Sequence, residues 1–356
     1  MRIKMKKIVV CLISLSFISG ITACSQAQTP ESNTKSTQNT NIDPHKIQGV
    51  TQVQDISDPK LIGKVNPKQQ LPVTVTDSSG NKVTVKDTSR ILALDIYGTI
   101  SRTLISLGFE KNLVGRTVSD TEKSLENLPV VTQDGHALNG EAIASLKPTL
   151  IITDDSVGPP EVLESLKATG TTIVKIDSKR SIERVGKQIQ QVAEIMGVTE
   201  LGKKLAERTE SEIKKAKEEI KTLVGDNKEP LKVAFLYVRG NGGIFFILGK
   251  GEGSDELIEN VYAHDTASRA GIEGISPATA ESIASINPDV FFVMSKGLES
   301  ANGVEGLLER PGVAQTTAGK NKRVVAIPDG LALSFGPQTG EVLSKVAKAL
   351  YLGEGK

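Results

Sequence analysis

Two side chains two positions apart carry the most chemistry in this sequence. Tyr237 and Arg239 close the run Phe235-Leu236-Tyr237-Val238-Arg239-Gly240. Leu231, Val233, Phe235 and Tyr237 alternate with their neighbours, which predicts a strand, and Gly240-Asn241-Gly242-Gly243 ends it. Residues two apart on a strand share a face. A phenol beside a guanidinium has a use: the cation lowers the cost of the phenolate, and a phenolate is a hard anionic donor for ferric iron. Tyrosine ordinarily ionises near pH ~10, so a metal, a cation or both must favour the ionised form at neutral pH. On pattern alone the plainer reading has the stronger claim: a strand-end tyrosine that packs its ring while Arg239 pairs with a carboxylate.

A second donor lies well upstream. His136 follows Gly135 in the loop Gln133-Asp134-Gly135-His136-Ala137-Leu138-Asn139, and a neutral imidazole is a common metal ligand. An isolated loop histidine is otherwise simply solvated. His264, in Tyr262-Ala263-His264-Asp265, reads as a polar cap or surface residue, and His45 falls in a stretch of tether composition. Those are the three histidines, and the two cysteines, Cys11 and Cys24, both fall in the first 24 residues. A zinc site built on several His or on Cys is therefore not supported. No Ser-His-Asp set, paired-carboxylate motif or phosphate-cradling loop stands out. Gly240-Asn241-Gly242-Gly243 and Gly249-Lys250-Gly251 read as hairpin turns.

These donors must be positioned by a framework, and 356 residues are enough for two domains. The 43 basic and 42 acidic residues leave a net charge of +1, so nothing points to nucleic acid. Residues 1–23 have a basic start and an apolar core from Ile8 to Ile21 too short for an ordinary transmembrane helix. The leader ends in Ile21-Thr22-Ala23-Cys24, which resembles the lipobox of bacterial lipoproteins. The expected product is a chain diacylated at Cys24, anchored on the extracellular face of the cell membrane. Residues 24–68, rich in Ser, Thr, Gln, Asn and Pro, read as a solvated tether.

Beyond residue 68 short strands and helices alternate, the signature of an α/β fold with parallel sheets. An α/β lobe is expected over 69–180, with a hairpin at 72–85, a short strand at 111–115 and strands near 91, 150 and 172. Helical spacing then takes over across 181–226. A second α/β lobe is expected over 227–356. Glu141-Ala142-Ile143-Ala144-Ser145-Leu146-Lys147-Pro148 is echoed by Glu281-Ser282-Ile283-Ala284-Ser285-Ile286-Asn287-Pro288, a short helix ended by proline before a core strand. Two like lobes on a helical spine make a ligand clamp.

Lipobox, tether, two lobes, helical linker and paired Glu-bearing helices together resemble the iron-siderophore, haem and cobalamin class of ABC-transporter substrate-binding proteins. The resemblance covers about residues 70 to 352. It implies two Rossmann-like lobes joined by a long helix, no enzymatic activity, and a monomer that serves an ABC permease and ATPase. His136 in its loop, Tyr237-Val238-Arg239-Gly240 and Leu333-Ser334-Phe335-Gly336-Pro337 are similar to the haem-binding branch of Gram-positive bacteria. That branch implies haem b as the transported ligand, His136 and Tyr237 as axial ligands, and Arg239 as the residue that hydrogen-bonds the phenolate. It also implies that Glu141 and Glu281 dock on the permease. Gln338 stands where that pattern has arginine, so a propionate contact there would be neutral. Arg116 and Tyr97 are further candidates for the pocket wall, each equally readable as a surface or packing residue. The alternatives left open are a ferric-siderophore or cobalamin carrier and, more remotely, a lipid-anchored metal-dependent enzyme.

Overall fold

The computed structural model describes residues 42–355, apart from 134, 180, 226–228, 241 and 242. The leader and the expected lipidation site, Cys24, lie outside the described residues. A 3₁₀ turn at Pro44–Lys46 leads into β1 (Val50–Gln52), followed by the antiparallel hairpin β2 (Val73–Thr76) and β3 (Lys82–Val85). Next come β4 (Ile91–Leu94), α1 (Thr99–Ser106), the small hairpin β5 (Thr132–Gln133) and β6 (Ala137–Leu138), α2 (Gly140–Ser145), β7 (Leu150–Thr153), α3 (Pro160–Ala168) and β8 (Thr172–Lys175). β4, β7 and β8 pair in that order, all parallel, with Ile91 opposite Leu150 and Leu150 opposite Thr172. Every residue of β4 and β7 is buried, as a parallel sheet covered on both faces requires.

Two helices then leave the sheet: α4 (Val185–Ile195) and α5 (Thr199–Val224). The second sheet contains β9 (Lys232–Arg239) and β10 (Ile244–Leu248). After α6 (Ser254–Asn260), β11 (His264–Asp265) and α7 (Thr266–Arg269) come β12 (Ile275–Pro277), α8 (Ala280–Ile286) and β13 (Val290–Met294). The chain closes with α9 (Ser295–Ser300), α10 (Gly303–Leu308), α11 (Thr317–Lys320), β14 (Val324–Ile327) and α12 (Thr339–Leu352). The strand order is β1-β14-β13-β9-β10-β12, with β11 beside β9. β1, β14, β13 and β9 run parallel, while β10 turns back on β9 and β12 on β10.

The spine is α5. Its 26 residues extend ~39 Å at 1.5 Å per residue, and it packs along α4 on one side and α12 on the other. Leu205, Ala206, Thr209, Ile213, Ala216 and Ile220 recur at three- and four-residue intervals and form its buried stripe. A Cβ at Gly202 would stand 2.2 Å from the Ala193 Cβ, so glycine there permits the close approach of α4 and α5. One hydrophobic core runs continuously through this spine, from Leu104 and Ile152 in the first half to Phe235, Phe292 and Leu350 in the second. Two smaller cores fill the opposite sheet faces, one around Ile143 and Ile151 and one around Leu236 and Phe291.

Two expectations need correction. The strand expected at 111–115 is a 3₁₀ turn, Glu110–Asn112, followed by a single bridge from Leu113 to Ile91. Lys111 is exposed and Asn112 half-buried, so the buried residues start at Leu113. The tether expected up to Lys68 is part of the folded body from residue 42 onward. β1 adds to the edge of the second sheet, and the Val53 N–H continues the ladder to the Ala326 carbonyl at 2.8 Å. The chain then crosses to the first half, where the Asp58 carboxylate accepts the backbone N–H groups of Lys123 and Ser124 at 3.0 and 2.9 Å. This strap escaped a reading by composition because its few apolar residues, among them Val50, Val53, Ile56 and Ile62, are diluted by polar ones.

The internal echo is real in the backbone. Lys147 and Asn287, the residues before Pro148 and Pro288, both take positive φ, 47° and 27°. β7 and β13 then start at matching positions, Leu150 and Val290.

Candidate functional site

Tyr237 lies near the carboxyl end of β9, a strand flanked by β13 and β10. β9 alternates strictly. Ala234, Leu236 and Val238 enter one core, Val233 and Phe235 the other, and Tyr237 continues the second series where that core runs out. Among the described residues its hydroxyl has no hydrogen-bond partner. Arg239 shares its face, and the guanidinium carbon stands 4.7 Å from the centre of the tyrosine ring. That is cation–π contact with the ring face.

Arg239 is itself pinned. Its Nη2 donates to Asp329 Oδ1 at 2.7 Å and contacts Met294 Sδ at 3.0 Å, and its Nη1 donates to its neighbour's carbonyl, Val238 O, at 3.1 Å. The other Asp329 oxygen accepts the Lys296 backbone N–H at 2.9 Å, at the start of α9. A Cβ on Gly297 would stand 2.6 Å from Arg239 Nη1, so glycine makes the room. Arg239 is thus paired with a carboxylate and stacked on the phenol ring, and among the described residues it makes no hydrogen bond to the Tyr237 hydroxyl. Asp329 was not foreseen, although it follows the last core strand directly, where parallel sheets gather functional groups.

His136 occupies the tip of the β5–β6 hairpin in the first half, with its ring exposed. Its carbonyl accepts the Gly158 N–H at 3.0 Å, and Ala137 bridges to Gly158. The rival His264 starts β11 opposite Lys232, at the far end of β9 from Tyr237. His45 belongs to the strap, with Nε2 3.0 Å from the Glu229 carbonyl oxygen.

The other candidates are differently placed. Arg116 is half-buried and donates through Nη1 to the carbonyls of Thr117 and Asp120, both at 3.3 Å. Gln338 precedes α12 and donates to the strap carbonyl of Ser57 at 2.5 Å. Tyr97 follows β4 and lines a small cavity with Asp95, Asp154 and Gln188. Burial of Asp95, reinforced by Asp154 and Asp120, pushes its carboxyl well above the usual range. Asp120 is raised to about 6, chiefly by burial and then by Glu122, against the hydrogen bonds from Thr117.

A larger cavity of about 530 Å³ draws on both halves, with Arg102 and Glu122 on one side and Asp329, Lys296 and Gln338 on the other. Arg102 is buried. It pairs with Glu122 and with the Ser334 hydroxyl, and its Nη2 has no partner among the described residues. Among the described residues no group of three or more His, Cys, Asp or Glu gathers to hold a metal ion, and no helix is long and apolar enough to cross a membrane.

Residues 96–331 match the model of a family described as periplasmic binding protein. The chain belongs to the periplasmic binding protein family. The crystal structure of a heme-binding protein, HmuT, is 48% identical, covers 87% of this chain and 99% of its own, and superposes with a TM-score of 0.84. Structures of that protein also exist as single alanine variants of a tyrosine, a histidine and an arginine two positions beyond the tyrosine. The periplasmic heme-binding protein RhuT from Roseiflexus sp. RS-1 is 33% identical over 74% of this chain and 98% of its own, with a TM-score of 0.69. A curated relative, the uncharacterized ABC transporter substrate-binding lipoprotein YvrC of Bacillus subtilis (strain 168), is 28% identical over 79% of this chain and 86% of its own.

In this periplasmic binding protein, as in its family, the work is substrate binding and not catalysis. Glu141 and Glu281 are both exposed in the first turns of α2 and α8, helices capped by Asn139 and Thr279. A first-turn carboxylate suits the positive end of a helix whatever else it does.

Proposed function

We propose that this chain is the haem-capturing lipoprotein of an ABC importer, anchored through Cys24 on the extracellular face of the membrane. Haem b lies between the two α/β halves, with Tyr237 and His136 as axial ligands. The carrying observation is the Tyr237 phenol, free at its hydroxyl and held under a guanidinium that Asp329 fixes in place. A porphyrin supplies four nitrogens and leaves two axial positions, which one phenolate and one imidazole fill. Arg239 offsets the negative charge of the phenolate without having to move. The 48% identity to a haem-binding protein supports the ligand class.

Arg116 spends only Nη1 on its two carbonyls and Gln338 one amide N–H on Ser57, so each keeps a donor that a haem propionate could take. Glu141 and Glu281 offer one acidic contact per half to basic pockets of a permease, and such pairs govern orientation and association rate. The chain acts as a monomer that delivers haem to the permease, and the ATPase subunits drive import. Titration with hemin tests the reading: wild type develops a Soret band with ferric phenolate charge-transfer absorption, and Tyr237→Ala loses that signature. A colourless protein that instead takes a ferric siderophore, or an unchanged spectrum in the variant, overturns it.

A further inference from the structure

The face of the second sheet that carries Tyr237 is apolar beyond it, out to the sheet edge. In the ladders Tyr237 stands opposite Phe246, and Phe246 opposite Pro277. Phe235, Leu248 and Ile275 form the row below, and Arg239 faces Ile244 in the row above. Directly paired residues share a face with their Cβ atoms ~5 Å apart. Phe235 and Leu248 are core residues, but Ile275 is 57% exposed, Ile244 is 39% exposed, Phe246 is half-buried and Pro277 is exposed. A solvated sheet face is ordinarily polar at such positions. The opposite face of the same strands is closed over by the core around Leu236, Val238 and Ile247. The exposed apolar side chains therefore form one shelf, in register with the Tyr237 hydroxyl, and an exposed apolar patch of this kind marks a binding surface.

Building on the haem reading, we infer that Ile244, Phe246 and Pro277 seat the apolar edge of the porphyrin, its methyl and vinyl substituents, and thereby select the class of cargo. The occupant must reach Tyr237 with a metal that has an open axial position. It must also lay an extended apolar surface on Phe246 and its neighbours. A metalloporphyrin does both. A ferric hydroxamate or catecholate does neither, because oxygen donors already wrap its iron and its outer surface is polar. The shelf does not touch the metal, so its contribution to affinity is independent of iron.

The test titrates hemin and metal-free protoporphyrin IX into wild type, Tyr237→Ala, Phe246→Ala and Ile244→Ser. Ile244 is exposed, so its replacement by Ser guards against misfolding. Val65→Ser, at a residue 49% exposed on the strap, serves as the surface control. Phe246→Ala and Ile244→Ser each weaken both ligands by about fivefold to tenfold, and the ferric phenolate signature of bound hemin survives. Tyr237→Ala weakens hemin and leaves protoporphyrin IX nearly unchanged. Unaltered affinities in both shelf variants, with wild type binding hemin normally, overturn the shelf and leave the axial reading standing. If wild type takes neither porphyrin, the haem reading itself falls and the shelf falls with it.

Discussion

The two proposed iron ligands stand on unlike frames. Tyr237 belongs to an eight-residue strand with neighbours on both sides, and its face is fixed by Arg239 and Asp329. His136 rides the tip of a hairpin whose strands are two residues each, tied to Gly158 by two backbone hydrogen bonds, from the Gly158 N–H to the His136 carbonyl at 3.0 Å and from the Leu138 N–H to the Gly158 carbonyl at 2.6 Å. Its ring makes no hydrogen bond among the described residues. The tyrosine is therefore organised before the ligand arrives, whereas the histidine must be ordered by binding, and that ordering subtracts from what its bond contributes. On the proposed ligation the roles are unequal: Tyr237 would hold the cargo on a preformed frame, and His136 would complete its coordination.

The largest effect expected from this asymmetry lies in affinity. Tyr237→Ala should weaken hemin binding on the order of a thousandfold, about 4 kcal/mol. His136→Ala should cost only about tenfold, roughly 1.4 kcal/mol, because part of the imidazole contribution is spent on ordering. Competition titrations against a reference haem binder measure both. Equal losses, or a larger loss at His136, would break the comparison.

Sequence reading reached the half with Tyr237 more fully than the half with His136, and for a physical reason. β9 is a strict alternation that ends in glycine, so the shared face of Tyr237 and Arg239 follows from period two alone. The hairpin that carries His136 is too short for any periodicity, and its residue mattered only through the family resemblance. Asp329 follows β14 in an ordinary Pro-Asp-Gly turn, and nothing in its neighbourhood points at an arginine ninety residues upstream. The hairpin turn after β9 was legible in its glycines, but which residue stands across the ladder from Tyr237 depends on register. The strap was missed because polar composition outweighed a three-residue strand. The long α5 and the echo between Lys147 and Asn287 were plain in the sequence, since helical spacing and proline placement act locally.

The strap also bears on how independent the halves are. Thr51 accepts from Arg323 Nη1 at 2.7 Å, and the buried Arg323 also donates to the last carbonyls of α12, Ala349 and Leu350. Val53, 2% exposed, belongs to the shared core. A short segment thus stitches the second sheet to the first-half turn capped by Asp58. Val53→Ala should cost roughly 2 kcal/mol through lost burial and an incompletely filled space. Because the strap joins the halves, unfolding should remain a single transition while its midpoint falls. Calorimetry distinguishes this from halves that melt apart, in which case the strap ties nothing together.

The smallest expected effect separates the halves by charge. The first half buries Asp95, Asp120, Asp154 and Glu122, with Arg102 paired to Glu122, whereas Asp329 beside Tyr237 has Arg239 as a direct partner. The Asp120 carboxyl, raised to about 6 mainly by burial, binds its proton more readily in the fold than in the unfolded chain, where a carboxyl titrates near ~3.9. The folded state therefore gains protons first as the pH falls. This contribution stabilises the fold as the pH drops from 7 through 6 towards 4, and it is lost as the pH rises through 6. Between pH 7 and 6 the gain amounts to a few tenths of a kcal/mol. Asp120→Asn cannot take up that proton, so denaturant titrations at the two pH values should show wild type gaining stability and the variant gaining less. Identical slopes would mean that the charge at Asp120 is compensated within the fold, and the acidic contrast between the halves would then carry no energetic weight.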